Sequence, residues 1–328
     1  MTVEDNDYLV IIGPTGSGKT LLLETIMGFH TVDKGDILID GKTLAVMPPE
    51  KRHIGYVPQD CVLFPHMDVR KNVGFGLKMQ GVSEAELAKR VDNTLEYVGL
   101  KALEHRRPST LSGGEKQKVA LARVLVLEPD LILLDEPLSA LDAQTSRELK
   151  AQLKAIHKSG KTVVHVTHNQ VEGFSLATKM AVMRGGEIVQ VGLSREVFAQ
   201  PRDEFVARFL GYENIFKARA PVASSYLLNV GGLPLEAAAQ VNSGGCTVCI
   251  RPEDIAVSKT PLEKSVGVNV LEGTLVDVSD QGHVVALTCD VGLPFAAVMI
   301  RSAFVDAGLE EGQRVWVRFK REAVRIVS

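Results

Sequence analysis

The stretch from Gly13 to Thr20 constrains the fold of this chain more than any other. It reads Gly-Pro-Thr-Gly-Ser-Gly-Lys-Thr and stands between two apolar runs, Tyr8–Ile12 before it and Leu21–Met27 after it. This order of strand, glycine-rich loop and helix is the context that the phosphate-loop pattern G-x-x-x-x-G-K-[ST] requires. The glycines let successive N–H groups point at a phosphate chain, and the helix adds its positive N-terminal dipole. A turn that binds nothing would have to match all the fixed positions by coincidence.

Two side chains of this loop carry specific chemistry. Lys19 is expected to supply a point charge to the β and γ phosphates of a nucleotide, and the Thr20 hydroxyl is the expected Mg²⁺ ligand. The predicted nucleotide-binding residues of the loop are Gly13, Pro14, Thr15, Gly16, Ser17, Gly18, Lys19 and Thr20.

Length and composition favour a two-domain protein with ordinary packed cores. The chain has 328 residues, 45% of them apolar, and a formal net charge of −3. That charge gives no reason to expect nucleic acid as a partner. No stretch approaches the uncharged apolar length of a membrane helix, and the first residues are acidic, unlike a signal peptide. We therefore expect the chain itself to lie in the cytoplasm.

The cysteines offer a possible metal or redox site. Cys246 and Cys249 form a C-x-x-C, while Cys61 and Cys289 are isolated. On spacing alone the pair could be half of a zinc site or a redox pair. In a strand, however, residues three apart point to opposite faces, and this run is apolar and β-branched. Buried, reduced thiols are the favoured interpretation.

Strands alternate with helices through the first two thirds of the chain, which predicts a parallel sheet covered by helices on both faces. We predict helices at 19–28 and 143–158 and strands at 35–41, 53–57, 131–134 and 162–166, with a helical subdomain at about 62–128. Functional side chains should gather where parallel strands end. The candidates at such ends are Lys19, Gln59, Asp135, Glu136 and His168.

After Arg202 the pattern changes to short strands separated by Gly and Pro. A linking helix is predicted at 203–211. The strands are expected at 225–230, 246–251, 269–278, 283–290, 294–300 and 314–327. The fold class is therefore α/β with a small all-β barrel domain at the C-terminus, divided into domains 1–212 and 213–328.

Two adjacent acids follow the buried strand Leu131–Leu134. Asp135 is placed to balance a phosphate-bound Mg²⁺, and Glu136 to orient or deprotonate an attacking water. Nucleotide hydrolysis needs these two tasks from different groups.

A second anion site is predicted at Leu111-Ser-Gly-Gly-Glu115. Gly113 and Gly114 expose N–H groups at a helix N-terminus, and Ser112 adds a hydroxyl. Two phosphate-binding surfaces in one chain are explained by a two-fold dimer, in which each γ-phosphate is held between the loop of one copy and the Ser112 helix of the other.

From Tyr8 to about Gly211 the sequence resembles the ATP-binding-cassette (ABC) ATPases. Besides the phosphate loop it carries, in family order, Tyr-Val-Pro-Gln59, Leu-Ser-Gly-Gly-Glu-Lys-Gln117, Leu-Leu-Asp-Glu-Pro137, Ser-Ala-Leu-Asp142 and Val-Thr-His168. The resemblance implies ATP and Mg²⁺ as cofactors. It also implies roles for three side chains: Gln59 senses the metal or water, Asp142 signals across the dimer, and His168 contacts the γ-phosphate. Where the family has an acidic residue after the histidine, this chain has Asn169, and little loss is expected.

The segment Leu63–Leu77 is similar to importer ATPases that work with an external binding protein. There it receives the coupling helix of a membrane subunit, and Phe64, Met67 and Phe75 would suit such a groove or, equally, a packed core. The resemblance implies transmembrane permease subunits as partners, a binding protein that acts indirectly, and a location at the cytoplasmic face of the membrane.

The tail resembles the regulatory domain of molybdate/tungstate importer ATPases, related to oxyanion-binding barrels. Asn269, Ser302 and Lys320 fit the oxyanion positions, whereas Val266–Val268 stands where that family has Ser-Ala-Arg. The missing arginine removes a cation and several donors. The alternatives are an importer ATPase for sulfate, iron, polyamine or sugar, and an inactive ATPase that regulates by binding oxyanion.

Only twelve residues precede Gly13. ABC ATPases carry further strands there, with an aromatic residue that stacks on adenine, and Tyr8 does not replace it. We expect the start to be truncated and the strand at 36–40 to present an open edge.

Overall fold

The computed structural model describes residues 1–222, 225–241, 244–261 and 265–327. Its strands up to residue 193 are β1 Tyr8–Ile12, β2 Leu38–Ile39, β3 Lys42–Thr43, β4 Ile54–Val57, β5 Leu131–Asp135, β6 Thr162–Thr167, β7 Lys179–Arg184 and β8 Glu187–Leu193. The later strands are β9 Asn214–Arg219, β10 Ser225–Val230, β11 Leu233–Val241, β12 Gly245–Ile250, β13 Ala256–Ser258, β14 Val268–Asp280, β15 Val284–Asp290, β16 Pro294–Ile300, β17 Arg314–Lys320 and β18 Arg325–Val327. The α-helices are α1 Lys19–Met27, α2 Val69–Met79, α3 Glu84–Tyr97, α4 Gly113–Leu125, α5 Ala143–Lys158, α6 Gln170–Leu176, α7 Ser194–Ala199, α8 Glu204–Phe209 and α9 Arg301–Ala307.

The chain divides into two compact units, Met1–Val197 and Phe198–Ser328. The sequence instead proposes a boundary at 212/213. Arg251 shows why the connecting segment belongs to the second unit. Its guanidinium lies 4.2 Å from the ring centre of Phe198 and 4.3 Å from that of Tyr212, and it donates a hydrogen bond to the Phe198 carbonyl. The aromatic side chains of this segment thus pack around a cation of the second unit.

The main sheet of the first unit has the strand order β4-β5-β6-β1-β7-β8. All neighbours are parallel except β7 and β8, which pair antiparallel. Every residue of β1 is buried, as expected for a parallel strand covered on both faces. The α/β class is confirmed, and the ends of β1, β4, β5 and β6 meet at one edge of the sheet.

The helical subdomain is built on the faces of α2, α3 and α4. Its core includes Val73, Leu77, Val91, Leu95 and Val119, all fully buried. Spacings of four on α2 and α3 put these side chains on one face of each helix.

The strand predicted at 35–41 is instead the short hairpin of β2 and β3. Asp40 and Gly41 both have positive φ, at 51° and 72°, and turn the chain back after only two strand residues. The glycines that bound the predicted strand therefore mark turns, and the residues between them do not form one continuous strand. Within the described residues, no helix has the length and apolar character needed to cross a membrane.

The second unit is rich in antiparallel strands, in two five-stranded sheets ordered β11-β10-β9-β12-β18 and β13-β17-β14-β15-β16. Phe295 is fully buried between them. Its ring centre lies 5.0 Å from that of Phe216 and 5.8 Å from that of Phe319. The single strand predicted at 314–327 is broken by a 3₁₀ turn over Arg321–Ala323, and helix α9 was missed.

The four cysteines are unpaired, but only two of them are buried as the sequence analysis expects. Cys249 and Cys289 are buried, and burial raises the pKa of both, whereas Cys61 and Cys246 are half-buried. No group of three or more His, Cys, Asp or Glu side chains with the arrangement of a metal site occurs among the residues that the structure describes.

Candidate functional site

The phosphate loop leaves β1 and enters α1 through two glycines in the left-handed region. Gly16 has φ 79° and Gly18 has φ 97°, conformations that strain any residue with a Cβ. Lys19 is 7% exposed, and its ammonium donates to the carbonyls of Gly13 at 2.9 Å and Pro14 at 3.0 Å. Burial lowers the Lys19 pKa, and the nearby carboxylates oppose that shift. The loop therefore holds its own cation in the curl that a phosphate chain would enter.

Asp135 ends β5 beside the first turn of α1. Thr20 Oγ1 donates to Asp135 Oδ1 at 3.2 Å, and the Tyr56 hydroxyl donates to Oδ2 at 3.3 Å. Burial raises the Asp135 pKa, and the two hydroxyls oppose the shift. Adjacent ligands of an octahedral Mg²⁺ with bonds of about 2.0–2.1 Å lie roughly 3 Å apart. The hydroxyl of Thr20 and the carboxylate of Asp135 therefore fit a shared Mg²⁺.

Glu136 and His168 meet at the ends of β5 and β6, which are neighbours in the sheet. His168 Nδ1 lies 2.8 Å from Glu136 Oε1 and 2.7 Å from Oε2, so the ring nitrogen donates to the carboxylate. Glu136 itself has φ 47°, and its N–H donates to the Val166 carbonyl at 3.0 Å. A glutamate in this left-handed conformation is strained, and the bond to β6 holds it there.

Ser112 is the N-cap of helix α4 and forms a capping box with Glu115. The Ser112 hydroxyl accepts from the Glu115 N–H at 3.3 Å, and the Glu115 carboxylate accepts from the Ser112 N–H at 2.7 Å. These bonds to Ser112 hold the pKa of Glu115 below its usual range. A Cβ on Gly114 would lie 2.1 Å from the methyl group of Thr145, whereas a Cβ on Gly113 would make an ordinary contact at 3.9 Å. Gly114 thus lets α4 approach α5 closely.

Asp142 is the N-cap of α5. Its carboxylate accepts from the N–H groups of Gln144 at 2.9 Å and Thr145 at 3.0 Å and from the Thr145 hydroxyl at 2.6 Å. These bonds hold the Asp142 pKa below its usual range, with the Thr145 hydroxyl contributing most. In this chain the aspartate therefore stabilises a helix end.

Gln59 follows β4 and lines a cleft of 210 Å³ together with Gly113 and Glu136. Cys61 and Gln117 line it too, and the Cys61 thiol donates to the Gln117 carboxamide. The structure thus brings Gln59, Glu136 and the start of α4 to one cleft.

Sequence reasoning missed Tyr56, whose hydroxyl reaches Asp135. The signal available was the period of two in the strand before Gln59, which puts Tyr56 on one definite face. Which face meets Asp135 is set by the pairing of β4 with β5, where Tyr56 lies opposite Leu133.

Asn169 explains why an amide can follow the histidine. Its side-chain oxygen accepts from the N–H groups of Val171 at 3.0 Å and Glu172 at 3.2 Å and caps α6. An asparagine and an aspartate cap a helix about equally well.

Phe64 and Phe75 pack on each other with ring centres 4.5 Å apart, and both are half-buried. Arg123 stacks over Phe64 at 4.6 Å. Met67 is also half-buried. These side chains leave part of their surface open while they pack on the helical subdomain.

The three oxyanion candidates, all within the described residues, are not joined to one another by a hydrogen bond. Asn269 is 6% exposed, and its carboxamide bridges β14 to β11: its oxygen accepts from the Glu236 N–H at 2.7 Å, and its nitrogen donates to the Glu236 carbonyl at 2.9 Å. Ser302 and Lys320 are exposed. β14 and β11 belong to different sheets, so the Asn269 amide links the two sheets of the second unit, which sequence reasoning did not foresee.

Replacing Asn269 by Ala should destabilise the second unit by about 1–3 kcal/mol, because both backbone groups of Glu236 lose their partner. The only tryptophan, Trp316, lies on β17 and reports unfolding of this unit by fluorescence during urea titration. Ser302→Ala is the matched control and should stay within about 0.5 kcal/mol of the wild type. Equal stability of Asn269→Ala and the control would show that the bridge contributes nothing.

Comparison with known proteins agrees with this geometry. Residues 1–139 match the family model described as ABC transporter, and residues 248–327 match the TOBE domain. The chain is 42% identical to the molybdate/tungstate import ATP-binding protein WtpC of Pyrococcus horikoshii, over 99% of this chain and 93% of that protein. It is 38% identical to the spermidine/putrescine import ATP-binding protein PotA of Thermotoga maritima, over 86% of this chain and 79% of that protein.

Among solved structures, the chain resembles the ATP-binding cassette MJ0796 in a dimeric post-hydrolysis state bound to ADP and Pi. The TM-score is 0.55 at 30% identity, with 60% of this chain and 88% of that chain covered. Because the similarity to curated relatives extends over nearly the whole chain, the chain belongs to the ATP-binding proteins of the ABC transporter family, and the reaction it catalyses is ATP hydrolysis.

Proposed function

We propose that this protein is the energy-coupling ATPase of an importer for molybdate and tungstate. The observation that carries the substrate class is the similarity to WtpC, which at 42% identity includes the C-terminal unit as well as the ATPase unit. The PotA relative is less similar, at 38% identity, so a polyamine importer is the weaker candidate.

The proposed reaction is attack of water on the γ-phosphate of ATP. Lys19 neutralises the β and γ phosphates, and the loop N–H groups hold them in place. Glu136 accepts the proton of the water as its oxygen bonds to phosphorus. The bond to the β–γ bridging oxygen breaks, and ADP and phosphate leave. His168, which is already bonded to Glu136, orients this carboxylate and contacts the γ-phosphate.

Thr20, Asp135 and Gln59 are the residues that would hold Mg²⁺. When bound, the metal supplies charge neutralisation at the phosphate oxygens. Tyr56 keeps the Asp135 carboxylate oriented toward Thr20 through its hydrogen bond at 3.3 Å.

The active form we propose is a two-fold dimer with ATP between the phosphate loop of one copy and Ser112, Gly113 and Gly114 of the other. The dimeric post-hydrolysis state of the MJ0796 cassette supports this assembly. Asp142 lies at the start of α5 and is hydrogen-bonded to Thr145, which approaches Gly114. In this proposal Asp142 reports closure of the dimer. Permease subunits would hold the dimer at the cytoplasmic face of the membrane, with the binding protein acting on their other side.

The test of the substrate class uses the source cells. Replacing the chromosomal copy by the Glu136→Gln variant should lower cellular molybdenum and tungsten by at least about tenfold in medium limited for both, measured by mass spectrometry. Spermidine and sulfate uptake should stay at the wild-type level. Unchanged molybdenum and tungsten with reduced spermidine uptake would instead assign the importer to polyamines.

A regulatory role of the C-terminal unit is a separate part of the proposal. ATP turnover of the purified chain with Mg²⁺ should fall when molybdate or tungstate is added, and sulfate serves as the control. The alternative of an inactive oxyanion-binding regulator predicts binding of molybdate without turnover.

A further inference from the structure

The two chain neighbours of His168 are joined through one hydroxyl group. The N–H of Asn169 donates to Thr167 Oγ1 at 3.0 Å, and the same hydroxyl donates to Glu172 Oε2 at 3.0 Å. A threonine hydroxyl has one proton to donate and two lone pairs that accept. In these two bonds it acts once as the donor and once as the acceptor. His168 is the residue enclosed by the first of them.

Glu172 is only 5% exposed, which is unusual for a glutamate, and its partner Thr167 is fully buried. Burying a carboxyl group is costly unless hydrogen bonds compensate for the lost water. Burial raises the pKa of Glu172, while the Thr167 hydroxyl and the nearby Lys150 oppose that shift. The described contacts give this carboxyl group one hydrogen-bond partner, Thr167, on the strand that presents His168.

The backbone around His168 is therefore fixed on both sides. Thr167 lies opposite Ile12 in the pairing of β6 with β1, and this pairing fixes the end of the turn that joins the sheet. Asn169 caps α6 with its side chain, and this cap fixes the end of the turn that joins the helix. The Thr167 hydroxyl closes the turn between the two, and Glu172 holds that hydroxyl in place from the first turn of α6.

We propose that Thr167 and Glu172 are positioning residues for ATP hydrolysis, which hold the turn so that His168 Nδ1 meets the Glu136 carboxylate. The inference rests on the proposed roles of Glu136 and His168. Both residues act through His168, and neither is placed against the nucleotide.

Thr167→Val tests the hydroxyl with little change of shape. We expect kcat for ATP hydrolysis to fall about tenfold, as loss of one hydrogen bond to a charged group implies. KM for ATP should stay within about twofold, because the phosphate loop is untouched. Thr167→Ser, which keeps the hydroxyl, should restore kcat to near the wild-type value. The matched control is Thr162→Val at the start of β6, whose hydroxyl accepts from the distant Asn6 N–H and whose loss should leave kcat unchanged.

A cycle with His168→Ala separates positioning from general destabilisation. If Thr167 acts through His168, adding Thr167→Val to His168→Ala should lower kcat by less than about twofold further. A second, full tenfold loss in the double variant would overturn the inference, as would wild-type kcat in Thr167→Val. Wild-type kcat in His168→Ala alone would instead refute the proposed role of His168, a result that is read without any Thr167 variant.

Glu172 gives an independent arm if Thr167→Val does not fold. Glu172→Gln keeps an oxygen that accepts from Thr167, and Glu172→Leu does not. We expect kcat within about threefold of the wild type for the former and about tenfold lower for the latter, with ATP binding retained in both. Equal kcat in the two variants, at matched melting temperatures, would exclude the hydrogen bond as the cause.

Discussion

Glu136→Gln should lower ATP turnover by about a hundredfold to ten-thousandfold, the range associated with loss of a positioned general base. The amide keeps the shape and one hydrogen-bond acceptor of the carboxylate but does not take a proton from water. ATP should still bind with an affinity within about threefold of the wild type, since Lys19 and the loop are unchanged. The chain should then accumulate as a closed dimer with ATP, measured by size-exclusion chromatography and by bound nucleotide.

The control for this variant is Glu187→Gln, an exposed glutamate at the start of β8 in the same sheet. It carries the same chemical change and should leave turnover and dimerisation unaltered. Hydrolysis by Glu136→Gln close to the wild-type rate would remove Glu136 from the role of the base. His168 would then be the group to test next, because its ring is within hydrogen-bond reach of the same place.

Lys19→Ala should weaken ATP binding by about tenfold to a hundredfold and abolish turnover, because the phosphates lose a charge-assisted partner that is already positioned in the loop. Ser112→Ala should spare the loop and act on the nucleotide of the other copy. Mixed dimers test this division. With both changes in one chain and a wild-type partner, each of the two composite sites carries one defect. With one change in each chain, one site carries both defects and the other carries none.

The expected readout is occluded nucleotide per dimer, trapped with Mg²⁺ in purified mixed dimers that carry two different tags. The arrangement with one change in each chain should occlude about one nucleotide per dimer, and the other arrangement close to none. Ser83→Ala in place of Ser112→Ala is the matched control. Ser83 also caps a helix, α3, through the Glu86 N–H at 3.4 Å, and it has no part in the proposed site. Identical occlusion in both arrangements would mean that each site is built within one chain.

Much of the candidate site was predictable because its features depend on residues that are close together in the sequence. The glycines of the phosphate loop, the capping box of Ser112 and the acids after β5 each depend on residues within a few positions of one another. Local spacing fixes such features whatever packs around them. The helix Ala143–Lys158 and the strands at 225–230 and 294–300 were likewise predicted with the bounds that the structure has.

Other features depend on register between strands far apart in the chain. Tyr56 reaches Asp135 across 79 positions, and Asn269 bridges to Glu236 across 33. Tyr56 lies on β4, which pairs with β5, and Asn269 lies on β14, which pairs with β15 and β17. A shift of one residue in the register of either strand would turn its side chain to the opposite face of the sheet. Periodicity in the sequence tells that a strand has two faces but not which neighbour each face meets.

The sequence by itself determined the kind of fold, the nucleotide loop and the order of the chemical groups along the chain, since these follow from local backbone preferences and from motifs with fixed spacing. Only the tertiary structure decided which partners each polar group has. It made the Asn269 amide a link between two sheets and joined the turn of His168 to the buried Glu172. The physical reason is that a buried polar group must find a hydrogen-bond partner, and the packing of distant elements decides which one is within reach.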